Sequence, residues 1–425
     1  MPMKIKEIKN ELLGESVFCM KHPSGLNIMV MPKEGYSSTY AIFATKYGSI
    51  DTSVANEDGG FDPIPEGTAH FLEHKLFECE DLDAFELFSK TGASANAYTS
   101  FDRTAYLFSC SENFEQSLEI LLDFVQKPYF TQETVEKEQG IIGQEIRMYQ
   151  DEPDWQVMFN LLRALYCKHP VRIDIAGTQE SIAEIDAELL YKLYNNFYNL
   201  SNMVLCVCGN TDCETVLRVA DKKLKKAKGE RAKRNFVPEA PTPVQDYIEE
   251  KLSVATKQFM LGYKEDLKKP EVKLEDELAS SIMLEAVAGK SSELFNDLLA
   301  EGLVDMGFST EFFNGFGYSC CMLGGTSSDP ERTAAIIRER IEKLCKTGIS
   351  PEAFERAKRK LYGRTVMGYN DIDHMANLLM SLYFGGYAPF DELEASKNIT
   401  LERVNRRLRK LKTEYSALSV ISPIE

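Results

Sequence analysis

The chain has 425 residues, of which 44% are hydrophobic and 27% are charged, a composition typical of a globular protein that buries a large core. Its formal net charge of -17 at pH 7 disfavours nucleic acid and anionic membrane surfaces as partners. The charged segment 1–10 lacks the apolar stretch of a signal peptide, and no apolar run approaches the length of a membrane span. The ten cysteines have no disulfide-framework spacing, so we expect reduced thiols in a soluble, cytoplasmic protein.

The predicted elements of the first half alternate between strands and helices. Runs of apolar and β-branched residues predict the strands, and helical spacing of apolar residues predicts the helices. In chain order they are strands at Leu26–Met31 and Thr39–Tyr47, a helix over 67–77, a strand at Ala93–Cys110, helices at Glu112–Gln126 and Thr131–Gln150, and a strand at Met203–Cys208.

The helix over 67–77 carries the most informative motif of the chain, His-x-x-Glu-His, formed by His70, Glu73 and His74. Residues four apart lie on the same helix face, so both imidazoles can reach one metal ion, and Glu73 can reach a water on that metal. The order of the residues matches the inverted zinc-peptidase motif. Two ordinary surface histidines at this spacing are the alternative, and with only five histidines in the chain it is the weaker one.

The helix at Thr131–Gln150 carries a candidate for the third ligand that a zinc site needs. Glu138 and Glu145 are seven residues apart and therefore lie on one face. Ile141 and Ile142 lie between them, which predicts that this face points inward, where a carboxylate is costly unless it meets a cation. We therefore expect Glu145 to be a functional carboxylate rather than a solvated one.

A basic and then proline-rich segment at 229–244 has the composition of a linker. It divides the chain into halves at 1–228 and 245–425. A predicted strand at Ser253–Tyr263 and a predicted helix at Glu275–Ala288 begin the second half. The order of elements predicts an α+β fold, in which each half is a mostly antiparallel sheet faced by helices.

The two halves are predicted to be copies of each other. Segments 129–145 and 348–364 have similar patterns, for which coincidence of helix patterning is the alternative explanation. At the same offset, the counterparts of the His-x-x-Glu-His motif, Glu138 and Glu145 are Gly289–Glu293, Ala357 and Arg364. The second half is therefore predicted to be a degenerate copy that cannot bind zinc, which leaves the first half as the catalytic one.

Taken together, the motifs resemble those of the pitrilysin/insulinase zinc metallopeptidases, a family that includes the mitochondrial processing peptidases. The resemblance rests on His-x-x-Glu-His followed about 70 residues later by a Glu-x6-Glu pair. The segments 67–78, 92–100 and 136–146 are closer still to the bacterial YmfH-type branch of the family. The family's fold implies that two homologous halves close like a clamshell around a chamber that holds the substrate.

The resemblance also implies a role for each site residue. His70, His74 and Glu145 would bind one Zn2+ per chain, with Glu73 as the general base and Glu138 supporting catalysis from outside the ligand set. The substrate would bind along one strand, at Ser94, Ala95, Asn96, Ala97 and Tyr98. Small side chains at alternate positions suit edge-to-edge pairing with a peptide, although an ordinary sheet strand is the alternative.

One departure from the family bears on activity. Active members often carry an Arg-x6-Tyr pair in the second half that contacts the substrate, and segment 298–308 contains neither residue. Tyr318 or another group substitutes, a partner chain supplies the contact, or the enzyme is slow. Trp155 is predicted only to pack in the core or at an interface.

The predicted function is a zinc-dependent endopeptidase that hydrolyses peptides or small unfolded proteins held in a chamber between the halves. Two alternatives stay open. One is a weakly active metal-bearing subunit that assembles with a related chain, or with a second copy of itself. The other is a peptide-binding protein in which turnover is incidental.

Overall fold

The computed structural model describes residues 4–56, 58–78, 80, 83–225 and 232–424. Its strands, numbered in chain order, are β1 (Ile5–Asn10), β2 (Glu15–Lys21), β3 (Asn27–Pro32), β4 (Thr39–Thr45), β5 (Ser53–Ala55), β6 (Phe61–Pro63), β7 (Ser94–Thr99), β8 (Thr104–Cys110), β9 (Met203–Gly209), β10 (Tyr247–Leu252), β11 (Gln258–Lys264), β12 (Ser309–Gly315), β13 (Tyr318–Thr326) and β14 (Ser416–Pro423).

The helices are α1 (Thr68–Phe77), α2 (Ala84–Thr91), α3 (Phe114–Val125), α4 (Gln132–Gln150), α5 (Pro153–Leu165), α6 (Gln179–Ile182), α7 (Ala187–Phe197), α8 (Cys213–Lys223), α9 (Leu274–Ala288), α10 (Glu293–Ala300), α11 (Pro330–Thr347), α12 (Pro351–Gly368), α13 (Ile372–Gly385), α14 (Asp391–Asn398) and α15 (Leu401–Leu408). Among the described residues, no helix combines the length and the apolar character that a membrane crossing requires.

Contacts between residues group the chain into two compact units. Unit 1 comprises Met1–Gln144, Ile175–Asn235 and Val366–Asp391, and unit 2 comprises Glu145–Asp174, Phe236–Thr365 and Glu392–Glu425. The predicted halves, 1–228 and 245–425 around a linker at 229–244, differ from these units because each unit includes a segment from the other half of the sequence. The predicted boundary at residue 228 lies outside the described residues.

Each unit contains one large sheet. The strand order is β1-β2-β3-β9-β4-β8-β7 in unit 1 and β10-β14-β11-β13-β12 in unit 2. In both sheets the neighbouring strands are antiparallel, except that β3 and β9 are parallel, as are β10 and β14. The order β3-β9-β4-β8-β7 therefore recurs strand for strand in unit 2, which confirms the predicted α+β fold of two related halves.

Alternate residues of the large sheet in unit 1 face different helices. Ile42 and Cys206 belong to a buried cluster that includes Leu379 of α13. The ring of Tyr106 faces the other side of the sheet and packs against Phe124 of α3 at a centroid distance of 5.7 Å. Cys206 occupies an inward position of the fully buried strand β9, and the described cysteines are free thiols.

The two halves of the sequence exchange one helix each. Helix α5, from the first half, packs against β11 and β14 of unit 2, and helix α13, from the second half, packs against β4 and β9 of unit 1. Gly262 of β11 permits the first of these contacts, because a Cβ there would lie 2.9 Å from both Leu161 Cδ2 and Leu165 Cδ1. Each large sheet therefore depends on a helix encoded in the other half.

Two predicted strands differ from the structure by more than a shift of one or two residues at an end. The stretch Ala93–Cys110 contains two strands, β7 and β8, because residues 100–103 form a turn in which the Ser100 N–H donates to the Arg103 carbonyl over 2.8 Å. The strand predicted at Ser253–Tyr263 begins only at Gln258, where pairing with β13 and β14 starts.

Candidate metal centre

The motif helix α1 begins after a glycine whose lack of a side chain is required. Gly67 has a φ of 84°, in the left-handed region that favours glycine. A Cβ at Gly67 would lie 2.3 Å from the carbonyl oxygen of Ala176. This close backbone contact fixes where α1 begins, and therefore which way the motif residues point.

The two histidines of the motif lie side by side. The ring centroids of His70 and His74 are 4.5 Å apart, with an angle of 65° between the ring planes. Burial, and then the charge of His74, lower the pKa of His70 to about 3. His70 is therefore neutral near pH 7, and a neutral imidazole is the form that binds metal ions.

Glu145 of α4 completes a group of potential ligands. One ligand atom from each of His70, His74 and Glu145 lies within 4.8 Å of the other two, and the described part of the chain forms no other group of this kind. Two nitrogen donors and one carboxylate are a known ligand set for catalytic zinc, which leaves the fourth position open. The structure thus brings together the three predicted ligands, and their chemistry fits a zinc ion.

Glu138 is not one of these potential ligands, but it contacts one of them, His74. Its Oε1 is 2.8 Å from Nδ1 of His74, and the residue is only 6% exposed. A carboxylate at Nδ1 keeps the ring proton on that nitrogen, so that Nε2 is the nitrogen available to a metal. This contact is the arrangement expected for the supporting role predicted for Glu138.

Glu73 is buried close to the ligands and is 9% exposed. The hydroxyl of Thr99, the last residue of β7, donates to Glu73 Oε2 over 2.7 Å. This hydrogen bond joins the predicted base to the strand that is predicted to bind the substrate. This hydrogen bond could not be predicted from the sequence, because the two residues are 26 positions apart and only the folded sheet brings them together.

The face of α4 around Glu145 differs from the prediction in one respect. Ile142 is fully buried, but Ile141 is 45% exposed and Met148 is 53% exposed. The predicted inward direction is therefore correct for Ile142 and wrong for Ile141, which lies at the margin of the buried face. Apolar side chains are consequently accessible about one turn before and one turn after Glu145.

The predicted substrate strand β7 lies at the edge of the sheet, where it pairs only with β8. Ser94 and Asn96 are exposed, whereas Ala95, Ala97 and Tyr98 are half-buried. The hydroxyl of Tyr98 donates to the side-chain oxygen of Asn377 in α13 over 2.8 Å. Burial raises the pKa of Tyr98 to about 12, so this hydroxyl keeps its proton.

Unit 2 contains a counterpart of the metal centre that lacks the ligands. A cavity of about 260 Å³ is lined by residues of α9, β12 and α12, which correspond by their order to α1, β7 and α4. Glu285 and Lys360 line this cavity and form an ion pair with an oxygen–nitrogen distance of 2.6 Å. Arg364 also lines it, at the position that corresponds to Glu145. The cavity therefore contains a cationic side chain, that of Arg364, where the first half has the potential metal ligand Glu145.

The predicted counterpart of the His-x-x-Glu-His motif is misplaced. Gly289–Glu293 follows α9 and reaches the first residue of α10, so it does not lie within α9 itself. Helix α1 begins at Thr68 and α9 at Leu274, a smaller separation than that between the starts of α4 and α12, so one constant offset cannot align both helix pairs. The offset does hold between α4, which begins at Gln132, and α12, which begins at Pro351.

Tyr318 does not replace the missing substrate contact. It is 3% exposed in β13, and its ring packs against Phe313 at 4.9 Å and against His169 at 5.3 Å. The suggestion that Tyr318 could substitute for the absent Arg-x6-Tyr pair is therefore wrong, because the side chain has almost no surface to offer a substrate.

Family models match most of the chain. Residues 62–179 match the insulinase model of peptidase family M16, and residues 184–361 match the model of the inactive domain of peptidase M16. The chain is 42% identical, over 96% of its own length and 96% of the relative, to YmfH of Bacillus subtilis (strain 168), named an uncharacterized zinc protease. YmxG of the same organism has the same description and is 27% identical over 85% of this chain and 89% of its own.

Solved structures share the whole fold. A crystal structure of an M16-like peptidase from Alicyclobacillus acidocaldarius is 35% identical, with a TM-score of 0.91 over 100% of this chain and 99% of that one. Pitrilysin matches 99% of this chain with 46% of its own, at a TM-score of 0.77 and 16% identity, which is a likeness of fold alone.

Proposed function

Because the chain belongs to peptidase family M16, the insulinase family, we propose that it is a zinc-dependent endopeptidase that hydrolyses peptides or small unfolded proteins. The observation that carries this proposal is the group of His70, His74 and Glu145, together with Glu73 on the same helix as the two histidines. Zinc, when bound, lowers the pKa of a coordinated water and polarises the scissile carbonyl. The remaining steps fall to side chains of the chain itself.

Glu73 is the group that moves the proton. Its carboxylate accepts a proton from the attacking water and later delivers this proton to the leaving amine. The hydrogen bond from Thr99 to Oε2 holds the carboxylate in one orientation during both transfers. Glu138 holds the ring of His74 through Nδ1 and so keeps this ligand in place.

The substrate is proposed to bind as an extended strand along β7. Its edge position supports this, because an edge strand has backbone groups that a peptide can pair with. Ile141 and Met148 add exposed apolar surface on either side of Glu145, which favours peptides with apolar side chains near the cleaved bond. A cytoplasmic location stays a prediction.

Turnover of a quenched peptide library by the purified chain tests the proposed function. We expect hydrolysis to stop when a chelator removes zinc and to return when zinc is added back in a stoichiometric amount. Mass spectrometry of the products should show apolar residues enriched next to the cleaved bond. If the zinc-loaded chain cleaves nothing, either alone or together with a related chain from the same source, the peptidase proposal fails.

A second candidate function rests on the second half of the chain. Segment 298–308 contains neither Arg nor Tyr, and Tyr318 is buried. A half that lacks these substrate contacts contributes less binding energy to the transition state. The chain would then be a weakly active subunit that gains activity by pairing with a related chain, or with a second copy of itself.

Light scattering and activity, measured over the same concentration series, distinguish the two candidates. We expect the specific activity to rise as the chain associates with itself, or when a related chain is added, because the partner supplies contacts that are missing here. A monomer that cleaves vigorously at every concentration, with no gain from any related chain, would contradict the need for a partner.

A further inference from the structure

Helix α4 continues for one turn beyond the metal ligand Glu145 and places Tyr149 on the same face. The hydroxyl of Tyr149 donates to Oε1 of Glu145 over 2.9 Å. A ligand carboxylate can rotate about its last side-chain bonds, and a donor on one of its oxygens restricts that rotation. Tyr149 is therefore placed to do for Glu145 what Glu138 does for His74.

The ring of Tyr149 is itself held in place. It stacks on Trp155 at the start of α5, with ring centroids 4.7 Å apart and an angle of 18° between the planes. The indole N–H of Trp155 donates to Asp174 over 2.5 Å, which prevents the indole from turning. In addition, the side chain of Gln156 donates to the backbone carbonyl of Tyr149 over 2.8 Å.

These contacts form one continuous series, from Asp174 through Trp155 and Tyr149 to Glu145. Tyr149 and Trp155 are both half-buried, so neither is needed merely to fill the centre of the core. Both belong to the short segment in which α4 ends and α5 begins. The series therefore couples the orientation of the third ligand to the junction between these two helices.

We propose that Tyr149 is a positioning residue that holds Glu145 in the orientation needed to bind the metal, and that Trp155 braces Tyr149 in this role. Trp155 is the only tryptophan of the chain, so its fluorescence reports on metal binding at His70, His74 and Glu145. This inference rests on the metal site of the proposed function, but it does not depend on peptidase activity.

The zinc affinity of Tyr149→Phe tests the first part of the proposal. The substitution removes the hydroxyl and keeps the ring, so the stack on Trp155 is preserved. We expect zinc to bind about 10–100-fold more weakly, the usual effect of losing an outer-shell contact, as measured by competition with a chromophoric chelator. Tyr36→Phe is a matched control, because Tyr36 is also half-buried and its hydroxyl also donates over 2.9 Å, in this case to the carbonyl of Asn370.

The unfolding midpoints of the metal-free variants show whether Tyr149 positions Glu145 or contributes only to the general stability of the fold. Tyr149→Phe and Tyr36→Phe should shift this midpoint by similar small amounts, while only Tyr149→Phe weakens zinc binding. A zinc affinity of Tyr149→Phe within about threefold of the wild type, which is well under the 10–100-fold loss of an outer-shell contact, would overturn the positioning role.

The fluorescence of Trp155 tests its coupling to the metal site. Removal of zinc should change the emission of Trp155 in the wild type and in Tyr36→Phe, and should leave it unchanged in His70→Ala/His74→Ala. An unchanged emission of the wild type on zinc removal would overturn the coupling between Trp155 and Glu145. If the wild type binds no zinc, the proposed metal site is wrong. If it binds zinc normally but cleaves no peptide, the peptidase activity is contradicted and the positioning role of Tyr149 is not.

Discussion

Replacing Glu73 by glutamine is expected to lower the peptidase rate by about a hundredfold or more, the range for loss of a general base, while the zinc content is unchanged. Glutamine has nearly the same shape, and its side-chain oxygen can still accept the hydrogen bond from Thr99, but it cannot take a proton from water. The measurement is kcat/KM on one cleaved peptide, with elemental analysis of the same preparation.

Glu136→Gln is the matched control for this experiment. It makes the same change of charge on α4, where the carboxylate is exposed and its hydrogen-bond partner is the side chain of Gln132. We expect this variant to keep the activity of the wild type. If Glu73→Gln also cleaves at the wild-type rate, Glu73 is not the base, and another group must carry the proton.

Removing both imidazoles in His70→Ala/His74→Ala is expected to reduce the zinc content from near one equivalent per chain to near zero. Glu145 alone would then remain, and a single carboxylate does not hold zinc tightly. Elemental analysis of protein purified without added metal measures the effect. A double variant that retains a full equivalent of zinc would rule out the site.

The zinc content of the double variant is compared with that of two further variants. His374→Ala removes an exposed histidine of α13 and should retain zinc fully. Glu138→Gln leaves all three ligands in place but replaces the carboxylate that contacts His74 Nδ1, so we expect zinc binding to weaken by about 10–100-fold, as for other outer-shell changes. A graded loss across these variants distinguishes ligands from the residues that support them.

The parts of the site that could be predicted are those in which the spacing of residues along one helix determines which side chains lie together. His70 and His74 are four residues apart within one helix, so their common face follows from helix geometry alone. Glu145 could be predicted because a carboxylate next to Ile142 on a helix is costly without a cation. Ile141, by contrast, lies at the margin of the same face, and the sequence offers no measure of where that margin falls.

Contacts that depend on tertiary packing were missed. Thr99 reaches Glu73 only because β7 lies beside α1, and no periodicity of the sequence indicates which strand does so. Tyr149 follows Glu145 by four residues on one helix, which is a usable signal, but the spacing alone does not indicate that its hydroxyl donates to the ligand carboxylate. The turn at residues 100–103 contains neither Gly nor Pro, which explains why β7 and β8 were predicted as one strand.

The helix exchange could not be predicted for a different reason. Helices α5 and α13 both bury apolar faces, with Leu161 and Leu165 in one and Leu379 and Met380 in the other. Either face suits the apolar surface of either sheet, so the pattern of hydrophobic residues cannot show which sheet each helix covers. Only the observed packing decides between these arrangements.

The exchange has a consequence for how the protein emerges from the ribosome. The strand Thr39–Thr45 is translated long before the helix that covers one face of its sheet, Ile372–Gly385. At synthesis rates of about 5–20 residues per second, this delay is on the order of tens of seconds. During that time the nascent chain carries an uncovered apolar sheet face that is open to aggregation or to a chaperone. The first sheet can be covered on this face only after the helix Ile372–Gly385 has been translated.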